Sequence, residues 1–161
     1  RRCPTFLPDV AGGRAPHSDA HAQGVFFGLT HDVKRAQLGY AVLEGVTFGL
    51  KDGLCALQAA GTEVLSLSLV GGGSRSPYWA QLLADILQVN ICTHVGSEAG
   101  GALGAARLGA LAYGMSEEEV CGKPPVLQTY APRVENAILN ARYQQFKSVY
   151  SALKPGFPCV Q

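Results

Sequence analysis

The chain has 161 residues, of which 47% are hydrophobic and 16% are charged, and its formal net charge is +1. This composition is typical of a globular chain with a sizeable core and excludes a disordered one. No basic run or aromatic-basic interleaving occurs, which argues against nucleic-acid binding. No apolar stretch approaches about 18 residues, so we expect no membrane span.

Five cysteines are scattered along the sequence without C-x-x-C spacing. This distribution argues against a disulfide framework and a zinc site, and we expect reduced thiols in a cytoplasmic protein. The sequence starts without a long apolar segment, so no signal peptide is predicted. His17 and His21 are four residues apart, but Pro16 favours a loop there, and we predict no metal site.

The first thirty residues are rich in proline and glycine and are predicted to be irregular. A long helix follows, with Asp32 as N-cap and Gly61 as the terminating glycine. Its apolar residues recur at steps of three and four: Ala36, Tyr40, Leu43, Val46, Leu50, Leu54 and Leu57. Four glycines interrupt this helix, namely Gly39, Gly45, Gly49 and Gly53. They predict that another backbone packs closely against it.

The run Val64–Val70, VLSLSLV, predicts a strand, and three glycines follow it. Ser76 then suits an N-cap and Pro77 the first turn of a helix. The helix has an apolar stripe made of Trp79, Leu82, Leu83, Ile86 and Leu87.

Three further elements are predicted downstream: a strand over Asn90–Val95, a small-residue helix over Gly100–Tyr113 and an amphipathic helix over Val134–Leu153. A connector around Pro124 and Pro125 precedes the last helix. The order of elements predicts an α/β fold. Because two strands are too few for a self-sufficient sheet, we expect the chain to be part of something larger.

The glycine run between the first predicted strand and its helix suits a ligand on chemical grounds. Gly71, Gly72 and Gly73 lack a Cβ, so backbone can approach a phosphate or a polar ring and adopt positive φ, and the next helix directs free N–H groups at the loop. The loop is neither a Walker loop nor a G-x-G-x-x-G fingerprint, and no acidic residue about 20 positions beyond it supports a dinucleotide site. A tight turn without ligand remains the alternative.

Other polar residues carry weaker signals. Arg75 has two open roles, a nucleotide contact or a surface residue. Glu44 lies among apolar residues and is interpreted as a buried structural hydrogen-bond partner, whereas Asp85 is placed on a solvated face. The cluster Glu117–Glu119 is interpreted as the start of a helix. No pairing of residues suited to acid–base or nucleophilic catalysis emerges.

Four stretches together resemble the C-terminal domain of the FGGY carbohydrate kinases: GVFFGLTHD, LEGVTFGLKDGL, LVGGGSRSPYWAQLLADI and GGALGAARLGA. The opening TFLPDVAGGRAPH is similar as well. The resemblance implies an actin-like ATPase fold, which is ribonuclease H-like and helix-rich around a small sheet. It also implies ATP and Mg²⁺ as cofactors, and transfer of the γ-phosphate to a ketopentose, D-xylulose.

By this resemblance, Gly72, Gly73 and Ser74 would contact the phosphate and ribose side of the nucleotide. Arg75 and Pro77 would lie near the adenine. The family's catalytic aspartate and sugar contacts belong to an N-terminal domain that this sequence does not match, so no catalytic or metal-binding residue is predicted here, and the sugar would be a partner only of a full-length enzyme.

We therefore predict one partial domain over residues 1–161, with an irregular lead-in at 1–30, a nucleotide-binding core at 31–154 and a tail at 155–161. The isolated chain is expected to be inactive. The alternative is a non-catalytic truncated domain that folds and self-associates as a homo-oligomer through its uncovered faces.

Overall fold

A computed structural model describes residues 3–10, 12–13, 18–133 and 137–157. The chain divides into two compact units, of which unit 1 comprises residues 1–63 and 134–161 and unit 2 comprises residues 64–133. Within the described residues, every helix is too short or too polar to traverse a lipid bilayer. The single partial domain that the sequence suggests stays a prediction.

Unit 1 begins with two short strands, β1 (Thr5–Leu7) and β2 (Val25–Phe27), which pair antiparallel with Leu7 opposite Val25. The prediction of an irregular lead-in is wrong for these residues. Each strand has three residues, too few to show an alternating pattern between the surrounding prolines and glycines. The buried side chains of Thr5 and Leu7 hold β1 against the helices of the unit.

Helix α1 (Arg35–Ala59) begins three residues after the predicted cap Asp32. The Gln37 side chain accepts a hydrogen bond of 2.9 Å from the Lys34 backbone N–H, which closes the first turn. Gly61 terminates the helix with φ +89°, as predicted.

A Schellman pattern satisfies the last carbonyls of α1, because Thr62 N–H donates to Leu57 C=O at 3.1 Å and Gly61 N–H donates to Gln58 C=O at 2.9 Å. Close backbone packing is confirmed at Gly45, where an added Cβ would lie 2.2 Å from the Phe6 carbonyl oxygen. The prediction is wrong for Gly39 and Gly53, where an added Cβ would meet no described atom within 4 Å, and Gly49 faces only the Pro8 side chain.

Helix α5 (Ala137–Leu153) packs on α1 and β1 and continues into a 3₁₀ turn, Lys154–Gly156. The predicted first residues, 134–136, lie outside the described part of the chain. Aromatic rings form the centre of the unit: the Phe48 ring lies 5.4 Å from that of Tyr143 and 5.5 Å from that of Phe146, centroid to centroid.

An ion pair lies in the interior of unit 1. The Glu44 side chain is 1% exposed and pairs bidentately with Arg142, whose Nε donates to Glu44 Oε1 at 2.6 Å. Arg142 also donates to the carbonyls of Cys3 and Pro4. The hydrogen bonds to the Glu44 carboxylate raise the pKa of Arg142, and the pair confirms the structural interpretation of Glu44.

The hydroxyl groups of two tyrosines on α5 are also bonded within unit 1. The Tyr143 hydroxyl donates to the buried carboxylate of Asp52, and the Tyr150 hydroxyl donates to Asp19 at 2.9 Å. Burial and the Asp19 carboxylate together raise the pKa of Tyr150 to about 12. Helix α5 is therefore joined to the rest of unit 1 by polar contacts as well as by its rings.

Unit 2 is built on a three-stranded mixed sheet in the order β3 (Ser66–Ser68), β4 (Asn90–His94) and β5 (Val126–Tyr130). Strand β3 runs parallel to β4, and β5 runs antiparallel to β4. The two predicted strands are confirmed as β3 and β4. Strand β3 has three of the seven residues predicted for it, and β4 ends one residue earlier than predicted. Strand β5 falls where only a connector was expected. Its sequence, VLQTY, does not alternate between apolar and polar residues, and Tyr130 is its one buried residue.

Helix α2 (Pro77–Leu87) covers one face of this sheet with the predicted apolar stripe. Ser76 Oγ accepts a hydrogen bond of 3.2 Å from Trp79 N–H, so the predicted cap and first turn are confirmed. Helices α3 (Gly101–Ala112) and α4 (Glu117–Val120) complete the unit. Ser116 caps α4 together with Glu119, which agrees with the predicted helix start.

The placement of Asp85 on a solvated face is wrong. Its side chain is only 10% exposed and pairs with Arg133, which donates through its backbone N–H at 3.0 Å and through its guanidinium. Burial alone would raise the pKa of Asp85, but the hydrogen bonds from Arg133 and Gln81 outweigh it and lower the pKa. This contact fixes the end of unit 2 onto α2.

Candidate functional site

The glycine loop, residues 71–75, connects β3 to the N-terminus of α2. It forms one turn of 3₁₀ helix over Gly72–Arg75 that is preceded by Gly71 at φ +82°. Positive φ therefore occurs in the first of the three glycines and not in Gly72 or Gly73. Only Gly71 needs glycine for its backbone conformation.

Gly72 and Gly73 differ in what surrounds them. A Cβ on Gly72 would meet no described atom within 4 Å, so this position faces open space. A Cβ on Gly73 would lie 2.2 Å from the Trp79 ring. Gly73 is therefore small because it packs against an indole, a structural reason that the sequence did not reveal, and Gly72 is the glycine with free space in front of it.

The remaining predicted nucleotide contacts have different surroundings. The Ser74 hydroxyl donates to the Gly71 carbonyl at 2.8 Å and so closes the turn. Arg75 is exposed and, within the described chain, its guanidinium has no hydrogen-bond or ion-pair partner. Pro77 is exposed at the first position of α2 and contributes no N–H donor.

The glycine loop is held by a neighbouring segment that sequence reasoning missed. Gly71 N–H donates to the Ser97 carbonyl at 2.7 Å, and a Cβ on Gly100 would lie 3.3 Å from Gly71 Cα. The Ser97 hydroxyl is itself bonded to the backbone of His94. The two positive-φ glycines therefore let the loops after β3 and β4 pack together at the carboxyl ends of two parallel strands, where ligands bind in α/β sheets.

Donor groups in the loop are available to a ligand. The backbone N–H groups of Gly72 and Gly73 donate no hydrogen bond to any described atom. The Arg75 guanidinium on the same turn likewise has no partner among the described atoms. Such donors suit the oxygen atoms of an anionic or polar ligand.

No group of three or more His, Cys, Asp or Glu side chains in the described part of the chain could hold a metal ion. His17 of the predicted loop lies outside the described residues. The glycine loop itself offers backbone N–H groups and the side chain of Arg75.

Comparison with known proteins gives the family. Residues 2–113 match the C-terminal domain of the FGGY family of carbohydrate kinases. Over 153 residues the chain is 40% identical to the xylulose kinase of Escherichia coli (strain K12), covering 93% of this chain and 32% of the relative.

Solved structures agree with this match. A kinase from Brucella ovis, described as a xyloylose kinase, aligns with TM-score 0.79 and 42% identity over 96% of this chain and 33% of that one. A gluconate kinase from Lactobacillus acidophilus aligns with TM-score 0.74 and 30% identity over 97% and 32% of the two chains.

The chain spans about a third of the length of these relatives. The structural neighbours are sugar kinases of the actin-like ATPase fold, which confirms the predicted α/β class with helices around a small sheet. The chain belongs to the FGGY family of carbohydrate kinases and corresponds to its C-terminal domain.

Proposed function

We propose that the chain forms the ATP-binding segment of a sugar kinase that transfers the γ-phosphate of ATP to a ketopentose, D-xylulose, giving D-xylulose 5-phosphate. The kinase class follows from the family. The single observation that supports a nucleotide contact is the glycine loop, in which Gly72 faces open space beside unpartnered N–H groups and a free arginine.

Each predicted contact has a distinct role in this proposal. Bound ATP supplies the phosphoryl group. The N–H groups of Gly72 and Gly73 donate to its oxygens, and Arg75 offsets negative charge or lies on the adenine. Ser74 acts as a positioning residue because its hydroxyl is used to close the turn. Pro77 provides a rigid, donor-free edge at the start of α2.

Phosphoryl transfer has two further requirements. Transfer needs a group that accepts the proton of the sugar hydroxyl, and it needs Mg²⁺ to offset charge on the phosphates. No acidic residue lies in the glycine loop, and no metal-binding cluster occurs in the described ranges. We propose that other parts of a longer kinase supply both functions, and that the 161-residue chain alone is inactive.

The choice of D-xylulose rests on relatives. The Escherichia coli relative is a xylulose kinase, whereas the Lactobacillus acidophilus neighbour is a gluconate kinase on the same fold. A fold shared by enzymes with different substrates does not itself select the sugar. The higher identity to the xylulose kinase favours the ketopentose.

A second candidate function is a non-catalytic domain that self-associates. Large apolar side chains that are exposed in unit 2 support it, with Leu108 69%, Tyr113 91% and Leu127 70% exposed. Light scattering at tens of micromolar distinguishes the candidates, because a monomer there contradicts self-association.

Segment exchange tests the proposed function. Residues 5–153 would replace the matching segment of the Escherichia coli xylulose kinase, and ADP release would be measured with ATP, Mg²⁺ and either D-xylulose or gluconate. We expect no turnover by the isolated chain and D-xylulose-dependent turnover by the exchanged enzyme. Turnover by the isolated chain, or a folded exchanged enzyme that uses neither sugar, would contradict the proposal.

A further inference from the structure

A cleft lies within unit 2, beside the carboxyl ends of β3 and β4. Its volume is about 260 Å³, and it lies between the start of α3 and the segment Lys123–Pro124. Its walls are mainly apolar and are formed by Val70, Val95, Leu103 and Pro124. The proposed nucleotide contacts Gly72, Arg75 and Pro77 are not among its lining residues.

The polar floor of this cleft is satisfied by its own hydrogen bonds. His94 is 6% exposed, and its Nδ1 lies 3.0 Å from the Pro124 carbonyl oxygen. Because a carbonyl can only accept, Nδ1 carries the hydrogen and Nε2 is the acceptor for the Ser68 hydroxyl at 2.9 Å. A ligand therefore does not need to supply a polar group to the floor.

The walls leave apolar surface in contact with water. Val70 is 59% exposed and Val95 is 56% exposed at the edge of the cleft. Covering these side chains would remove apolar area from water, which is favourable at about 25 cal/mol per Å². The body of a ligand that fits here is therefore apolar.

The charged side chains that line the cleft are all basic. Arg107 and Lys123 line it, and no acidic residue does. Arg107 is held in place by a 2.7 Å hydrogen bond to the Gly122 carbonyl. Lys123 is exposed and has no partner within the described ranges. A complementary ligand carries a negative group at the end that faces these two cations.

We propose that this cleft binds a small organic anion, namely a single ring or short aliphatic body with one phosphate or carboxylate group. The volume lies just below the range of about 300–1,000 Å³ that is usual for drug-sized ligands, so a nucleoside triphosphate is too large. The site goes beyond the proposed nucleotide contact, and its occupancy is measured without ATP.

Binding in the cleft would be reported by the glycine loop. Val70 directly precedes Gly71, and Ser97, another lining residue, accepts the hydrogen bond of Gly71 N–H. An occupant that touches both residues changes the surroundings of the Gly71 amide. The Gly71 and Lys123 amide resonances are therefore a pair of probes on two sides of the same cleft.

The test is an NMR titration of the 161-residue chain with phenyl phosphate at constant ionic strength. Inorganic phosphate provides the anionic group without the apolar ring, and phenol provides the ring without the anionic group. Benzoate has the ring with a carboxylate in place of the phosphate. We expect phenyl phosphate or benzoate to bind at least tenfold more tightly than either half alone. The Gly71 and Lys123 amides should shift together.

Lys123→Glu should weaken this binding at least fivefold. Lys34→Glu, an exposed lysine of unit 1 with the same change of charge, should leave it unchanged. Val95→Asn, at an exposed wall position, should weaken it without loss of fold.

Four results would overturn the proposal: unchanged affinity in Lys123→Glu, inorganic phosphate that binds as tightly as phenyl phosphate, cleft resonances that do not move, and complete displacement by ATP. The last result would make the cleft part of the nucleotide site. Failure of ATP to bind at all would contradict the proposed function and leave this titration unaffected.

Discussion

The two units differ in the surroundings of particular charged side chains. In unit 1, the Glu44–Arg142 pair and the Tyr143–Asp52 hydrogen bond join α1 to α5 around a cluster of aromatic rings. Unit 2 leaves its cations Arg75 and Lys123 exposed and without described partners, next to a loop of glycines and a cleft. Buried charges need partners, whereas exposed and unpartnered ones remain available to ligands.

We therefore expect the buried polar groups of unit 1 to stabilise the fold and the exposed donors of unit 2 to bind ligands. Substitutions in unit 1 should act mainly on the free energy of unfolding, because each buried group there has a fixed partner. Substitutions in the glycine loop or the cleft of unit 2 should act mainly on ligand affinity. Substitutions at individual residues of the two units test this contrast.

The largest effect is expected from Arg142→Met. It leaves the Glu44 carboxylate buried without a partner, and we expect the free energy of unfolding to fall by about 3–5 kcal/mol. Urea unfolding followed by circular dichroism measures it. Arg133→Met removes a guanidinium that is 72% exposed and should cost about 1 kcal/mol or less.

The double variant Glu44→Leu, Arg142→Met removes both charges and should recover most of the loss. If Arg142→Met costs no more than Arg133→Met, the buried pair does not support unit 1 and the contrast fails.

A smaller effect is expected from Gly45→Ala in α1. Its Cβ would lie 2.2 Å from the Phe6 carbonyl oxygen, so backbone must move, and we expect a loss of about 1–3 kcal/mol. Gly53→Ala in the same helix meets no described atom within 4 Å and should stabilise by about 0.5–1 kcal/mol. Urea unfolding compares the two, and effects of the same sign would argue against close packing at Gly45.

The Asp85–Arg133 contact predicts a pH-dependent stability of unit 2. Hydrogen bonds lower the pKa of folded Asp85, so its contribution is complete above the unfolded value of about 3.9 and is lost as the pH falls through the folded pKa. Asp85→Asn should therefore cost about 1–2 kcal/mol at pH 7 and progressively less below about pH 4.

Trp79, the only tryptophan, lies in the same unit, and its fluorescence reports the unfolding. Glu118→Gln, at an exposed position on α4, is the matched control and should change little at any pH. A cost of Asp85→Asn that stays constant between pH 7 and pH 3 would show that ionisation of Asp85 is not involved.

Local chemistry explains which elements were predictable. Ser76, Pro77 and the apolar stripe of α2 are consecutive or one turn apart, and the helix occurs where they place it. The ends of the pair Glu44–Arg142 are 98 residues apart and those of Asp85–Arg133 are 48 apart, and no periodicity relates them. Because Arg133 is so far from Asp85 in the sequence, nothing local indicates that Asp85 has a partner, and its prediction as a solvated residue was wrong.

The glycine loop was predictable in position and only partly in conformation. Three glycines after a strand locate the loop, but nothing in the sequence shows that Gly71 alone takes positive φ or that Gly73 makes room for the Trp79 ring. Both facts depend on how the loop packs. Because Gly73 packs against Trp79 and Gly72 faces open space, Gly72 is the position at which a substitution tests nucleotide contact.

The most direct test of the proposed nucleotide contact is ATP titration of Gly72→Val and of the unchanged chain, observed by NMR, with urea unfolding of both. A side chain at Gly72 enters open space, so unfolding should change by no more than about 0.5 kcal/mol. We predict a dissociation constant for ATP in the millimolar range, about −4 kcal/mol, that weakens at least tenfold in the variant. Gly73→Val should instead lose stability against Trp79. Equal ATP-induced shifts in the unchanged chain and in folded Gly72→Val would contradict a nucleotide site at the glycine loop.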